Sequence, residues 1–264
     1  KTIPIEYMKQ NLYFELARPE QSGWRWEKIY KRLNLLTIFY PSKKSNIIIK
    51  KCLCIKPQYS EVTDLLLKHI KVNKYPLIDS YPLRLYKKGD CCYRLSKSSQ
   101  YVTILSNTYT QTRDDIIKIL KSKLSKKDYK ISVNHNDVTL YNIYASYSIE
   151  IIDNKTNEEF NIIKIIYNKN ECFSINEKDG FITGSIDTNL YFLYIEYIRN
   201  KIYLNKTQEA KENLYYINQY EDYIKKTIKD DVQKRLKSDC YGKIDNEEVI
   251  KRAWKQKLTI KYLS

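Results

Sequence analysis

Glycine is scarce in this sequence, five residues in 264, and proline is little commoner at six. That scarcity argues against low-complexity linkers between modules. There is no apolar run of about 18 residues, so a membrane-spanning helix is not expected, and no signal-like stretch that would send the chain for secretion. Two histidines, His69 and His135, stand far along the chain from the cysteines. The six cysteines form a C-x-C (Cys52, Cys54), a pair (Cys91, Cys92) and two single residues, Cys172 and Cys240. None has the paired C-x-x-C spacing of a zinc site. No metal is therefore expected in this chain, and the thiols are expected to be reduced and mostly buried, as in a cytosolic protein. No internal repeat is present.

What is abundant is positive charge: 47 Lys and Arg against 31 Asp and Glu, a net +16 with a pI near 9.3. A balance that basic suggests a polyanion partner, nucleic acid first and an anionic membrane surface second. An AT-rich coding bias, visible in the Ile, Asn, Lys and Tyr content, would raise lysine without any such partner. The length suits one large domain or two small ones.

Along the chain, Ile5, Met8, Leu12 and Leu16 recur at helical spacing, predicting a helix over 3–16 that Arg18-Pro19 ends. Ser22 reads as the N-cap of a second helix to Phe39, with Trp26, Ile29, Tyr30, Leu33 and Leu36 inward. Arg25, Lys28 and Arg32 line another face, with Lys31 nearby. Beside Trp24 they form a candidate RNA-binding surface, basic groups for phosphates and a ring for a base. A plain solvated face reads equally well. Ser60 is expected to cap a helix to Val72, and another is expected over 112–124. From Tyr129 to Ile175 the period shifts to two, predicting strands near 129–133, 137–144, 146–152, 160–167 and 171–175, with a hairpin turn at Asp153-Asn154-Lys155. Asp137 and Glu150 read as ordinary strand acids. Tyr141, Tyr144 and Tyr147 suit either sheet packing or an interface. Ser185 should cap a long helix to Tyr203, burying Ile186, Leu190, Leu193 and Tyr197. A further helix follows Lys206.

The stretch from Asp79 to Ser106 organises the rest. A turn with Ser, a short helix and a strand follow one another in the order of a nucleotidyltransferase core. Such a core needs Gly-Ser at the turn, so that backbone can approach a triphosphate, and Asp-x-Asp on the strand to hold two metal ions. Here the turn is Asp79-Ser80 and the strand reads Tyr101-Val102-Thr103. Asp79, Ser80, Tyr101 and Thr103 are read as degenerate active-site positions, and no catalytic residue is assigned. Gly184-Ser185 imitates half of the motif, but Tyr194-Ile195-Glu196-Tyr197 follows instead of a carboxylate pair.

Three segments carry a wider likeness: ELARPEQSGWRWEKIYKRLNLL (15–36), IDSYPLRLY with YVTILS (78–86 and 101–106), and DGFITGSIDTNLYFLYIEYI (179–198). In their order they resemble the C-terminal half of the poly(A) polymerase catalytic subunits of large cytoplasmic DNA viruses. The resemblance implies an α+β fold: an N-terminal helical hairpin, then a degenerate nucleotidyltransferase-like mixed sheet flanked by helices. It implies a helical linker segment over 1–57, a non-catalytic domain over 58–205, and C-terminal helices and tail over 206–264. The implied role is the RNA-binding and assembly half of an enzyme adding AMP from ATP to mRNA 3′ ends. In that case no cofactor belongs to this chain, and ATP with Mg²⁺ or Mn²⁺ belongs to a catalytic half. The implied partners are that half, an RNA 3′ end, and a second copy or a processivity partner. No membrane is implied, and the setting is the cytoplasm, a viral factory or a virion. Two alternatives stay open: an autonomous nucleotidyltransferase with unrecognised carboxylates, and a basic nucleic-acid-binding scaffold.

Overall fold

Residues 3–18, 25–44, 57–86, 101–136, 144–169, 171–228 and 239–242 are described by the computed structural model. Trp24, Asp137, Tyr141 and the cysteines at 52, 54, 91 and 92 lie outside them. So does most of the strand expected over 137–144.

The helical periods produce helices close to where they were read. These are α1 (Ile5–Ala17), α2 (Trp26–Phe39), α3 (Pro57–Val72), α4 (Tyr81–Tyr86), α5 (Tyr109–Lys123), α6 (Ile186–Ile198) and α7 (Thr207–Tyr223). α6 continues as a π-helical turn over Arg199–Tyr203, and α7 as another over Ile224–Ile228. α3 starts a turn before Ser60, at Pro57, whose missing N–H costs nothing in a first turn. Ser185 does cap α6, its hydroxyl accepting from the Thr188 N–H, with Asp187 in the first turn.

α1 corrects its predicted face. Leu16 is buried as expected, but Met8 is exposed, and Lys9, Tyr13 and Ala17 are buried with Leu16 instead. The cause is polar as well as aromatic. Tyr13 stacks on Tyr194 at 5.5 Å, and Lys9 Nζ donates to Ser42 Oγ at 3.0 Å, 3.9 Å from Glu221. Burial pulls the Lys9 pKa down, and Glu221 works against it.

Eight strands form a mixed sheet: β1 (Leu77–Ile78), β2 (Val102–Ser106), β3 (Tyr129–Asn136), β4 (Ser146–Asp153), β5 (Glu159–Tyr167), β6 (Phe173–Lys178), β7 (Phe181–Gly184) and β8 (Cys240–Tyr241). Their spatial order is β3-β4-β5-β2-β1-β7-β6-β8. β2 runs parallel to β5 and β1 parallel to β7, and the remaining pairs are antiparallel. Period-two alternation divides the core into two layers. Ile104, Ile149, Ile163 and Ile165 join α3 and α5 on one face. Leu105, Ile166 and Phe173 join α1, α2, α6 and α7 on the other. α6 is buried along almost its whole length, with α1 and α7 packed against it. The expected α+β fold of N-terminal helices and a helix-flanked mixed sheet is the one observed.

Tyr144 and Tyr147 are buried, one in each layer, so they serve the core rather than an interface. The cysteine expectation fails for one pair: Cys172 and Cys240 form a disulfide. Antiparallel pairing of β6 with β8 puts Ser174 opposite Cys240 and brings the two cysteine Cα atoms to 5.1 Å. Among the described residues, no helix is long and apolar enough to cross a membrane.

Candidate functional site

β1 ends at Ile78, which lies opposite Thr103 of β2, so the turn that follows hangs over the β2 strand. Asp79 takes a left-handed conformation, φ 71°, where glycine is the easy choice and Asp is tolerated. Its backbone carbonyl accepts from the Tyr220 hydroxyl at 2.8 Å, which pins the turn to α7. Thr103 Oγ1 reaches Asp79 Oδ2 at 3.5 Å.

Of the two strand positions expected to face the turn, only Thr103 does. Tyr101 sits at a bend before β2, with its ring packed edge-on to Tyr81 in the opposite core layer. Neither residue supplies an anionic oxygen.

The parallel register places Lys164 of β5 beside Thr103. Its ammonium hydrogen-bonds Glu196, which Arg199 also grips at 3.3 Å one turn further along α6. Lys164 and Glu196 are both largely buried. Burial opposes the charge on Glu196, yet the Lys164 and Arg199 cations hold its pKa below the ordinary carboxylate value. Asp79 goes the other way. Burial, reinforced by Glu196, pushes its carboxyl up to about 7, with Lys164 only partly compensating.

These groups line one end of a cavity of about 490 Å³ between the sheet and the start of α7. Asn134, Asn136, Ser148 and Asn161 line its sheet side. Six carboxylates (Asp79, Glu150, Glu159, Glu196, Glu209 and Glu212) face three cations (Lys164, Arg199 and Lys206). Glu150 is thus not the solvated strand acid it was read as. It lines the cavity, and burial, then Glu159, raises its pKa.

The donor set does not suit a metal pair. Two metals need free carboxylates alternating on a strand, and here a lysine ammonium already occupies Glu196. Among the described residues, no group of three or more His, Cys, Asp or Glu side chains is placed to hold an ion.

Sequence reasoning missed Lys164, Glu196 and Arg199. A charged residue inside the apolar run Ile162-Ile163-Lys164-Ile165-Ile166 was the available signal, because a lysine buried in a strand needs a partner.

The basic face of α2 is a separate place. Lys28, Lys31 and Arg32 are exposed, and Arg25 is half-buried at the helix start. Lys31 is engaged by Glu27 at 2.8 Å. The structure brings none of these residues to the cavity.

The fold has a counterpart among solved structures. It matches a Megavirus polyadenylate synthase. The TM-score is 0.67, with 15% sequence identity over 97% of this chain. The match covers 53% of the synthase, so the chain spans about half the length of that protein. The likeness to a viral poly(A) polymerase read from 15–36, 78–86 with 101–106, and 179–198 is therefore present in the fold. JHP933 from Helicobacter pylori shares 13% identity over 79% of this chain at a TM-score of 0.31, too slight a likeness to bear on function. No known family profile matches the sequence, and no curated protein matches it significantly.

Proposed function

We propose that this chain is the non-catalytic, RNA-binding and assembly half of a poly(A) polymerase-type enzyme that extends mRNA 3′ ends. The observation that carries the reading is a nucleotidyltransferase-like turn and strand without metal-binding carboxylates: Thr103 faces the turn, Tyr101 packs in the opposite core layer, and Lys164 stands beside Thr103. The match to about half of a polyadenylate synthase supports it. ATP and Mg²⁺ or Mn²⁺ then belong to a catalytic half that corresponds to the unmatched part of such an enzyme. That half, an RNA 3′ end, and a second copy or processivity partner are the proposed partners, in the cytoplasm of an infected cell.

The purified chain should not add AMP to an RNA primer with ATP and either metal. It should restore or lengthen tailing when the catalytic half is added. A second reading, an autonomous nucleotidyltransferase, draws on the cavity's carboxylates. Metal-dependent AMP incorporation by this chain alone, lost in both Asp79→Asn and Glu196→Gln, would establish that reading and overturn the first.

A further inference from the structure

The cavity and the RNA reading conflict in charge. A phosphate chain entering a space where five acids besides Asp79 outnumber three cations would be repelled, so the proposed RNA has to lie elsewhere. The α2 face is the obvious alternative, but one of its lysines is already tied to Glu27.

A denser basic surface lies at the opposite end of β3. α5 ends in Lys121 and Lys123, and the turn into β3 adds Lys126 and Lys127, with Lys130 on the strand itself. The β4–β5 hairpin folds onto this turn. Asn154 Nδ2 donates to the carbonyl of Lys127 at 3.0 Å, its backbone N–H donates to Asp128 O at 2.8 Å, and Lys155 pairs with Asp128. The backbone is thereby held in place while the lysine side chains project into solvent.

Three acids of the region are engaged locally: Glu61 by Lys123, Asp128 by Lys155, and Asp153 by the hairpin's own N–H groups. Among the described residues, Lys121, Lys126, Lys127 and Lys130 form no ion pair, and all four are exposed. Lys121 complements the negative end of the α5 dipole, a structural use that Lys126, Lys127 and Lys130 do not share. β3 then presents Ser132, Asn134 and Asn136 on the same face as Lys130, and this polar stripe leads to the cavity.

We infer that the α5–β3 turn, with Lys121, Lys126, Lys127 and Lys130, is the phosphate-binding surface of this chain for single-stranded RNA, and that the acidic cavity marks where the phosphate track ends. The inference rests on the RNA-binding reading above and locates it. Contacts of this kind read charge and not sequence, so they give register and salt dependence without base preference.

The test is fluorescence anisotropy with a labelled oligoadenylate and a mixed-sequence RNA of equal length, from 50 to 200 mM salt. The probes should bind the parent chain alike. The variant carrying Lys121→Gln, Lys126→Gln, Lys127→Gln and Lys130→Gln should bind both at least roughly tenfold more weakly at 100 mM salt. Its slope of log K against log salt should be shallower by about 0.7 for each lost contact. All four side chains are exposed and only Lys121 supports a helix end, so a melting temperature within a few degrees of the parent's is expected and separates lost contacts from lost fold. A parent chain that binds neither RNA would end the RNA-binding reading itself. A parent chain that binds while the quadruple variant matches it in affinity and slope would overturn this inference alone. So would loss confined to Lys28→Gln with Arg32→Gln, which would move the track to α2.

Discussion

Asp79 holds its proton over a range in which a surface aspartate would not. Its folded value of about 7 stands above the ordinary 3.8, so the folded chain keeps a proton that the unfolded chain releases between about pH 4 and 7. Stability contributed by the neutral group is present below that window and falls as pH rises through it. Asp79→Asn imitates the neutral form. Its melting temperature should equal that of the parent near pH 4 and rise above it by a few degrees by pH 8. A difference flat across that range in calorimetry would mean the carboxyl is not held neutral. Glu196 has the opposite sign: its depressed value gives stability above pH 4.5 that is lost only in more acid solution, at and below the lower edge of the Asp79 window. Lys164→Met should cost about 3 kcal/mol in urea unfolding, because it leaves Glu196 buried with Arg199 alone. Adding Glu196→Gln should recover part of that loss, and strict additivity of the two would deny the pair its coupling.

At the scale of elements, β8 is the piece most exposed to a single substitution. Gly242 follows it at φ 131°, and a Cβ there would stand 2.1 Å from the Glu171 carbonyl oxygen. Gly242→Ala should loosen β8 and its Asn168 Nδ2 bond to the Tyr241 carbonyl. Amide exchange at 173–174 and 240–241 should rise while α6 stays protected, and unchanged exchange at β8 would contradict this. The elements also show what a single sequence could reveal. α6 was legible because Ser185, Leu190, Leu193 and Tyr197 are a local cap and stripe, and the β4–β5 hairpin because Asp153-Asn154-Lys155 is a local turn. β1 and β8, two residues each, have too few positions for any periodicity to register. The buried face of α1 was misjudged because Glu221 and Tyr194, distant in sequence, decide which side of it turns inward. Half of the candidate site could be read, namely the Asp79-Ser80 turn and Thr103. The other half depends on strand register, which sets Lys164 beside Thr103 and within reach of Glu196, 32 residues further on. The apolar run around Lys164 marks it as needing a partner, but nothing local to either residue names that partner.

For the whole molecule, the disulfide closes the chain between Cys172 and Cys240, a separation of 68 residues. In the chain-entropy picture a loop of that length contributes about 4 kcal/mol, so reduction should lower stability by up to that amount. Non-reducing peptide maps should recover residues 172 and 240 in one fragment, whereas alkylation of both thiols without reductant would show the pair to be open. Assembly is a property at the same scale. Sedimentation of this chain with the proposed catalytic half should give a complex at micromolar concentration, and strict independence of the two would remove the proposed assembly role. The same closed loop has a mechanical meaning. β6, β7, α6 and α7 all lie between the two cysteines, so tension applied to the chain beyond Cys240 passes through sulfur to Cys172 and leaves those elements unloaded. A machine that unfolds proteins by reeling them in from that direction would find, at Cys240, a doubled strand to draw through its pore.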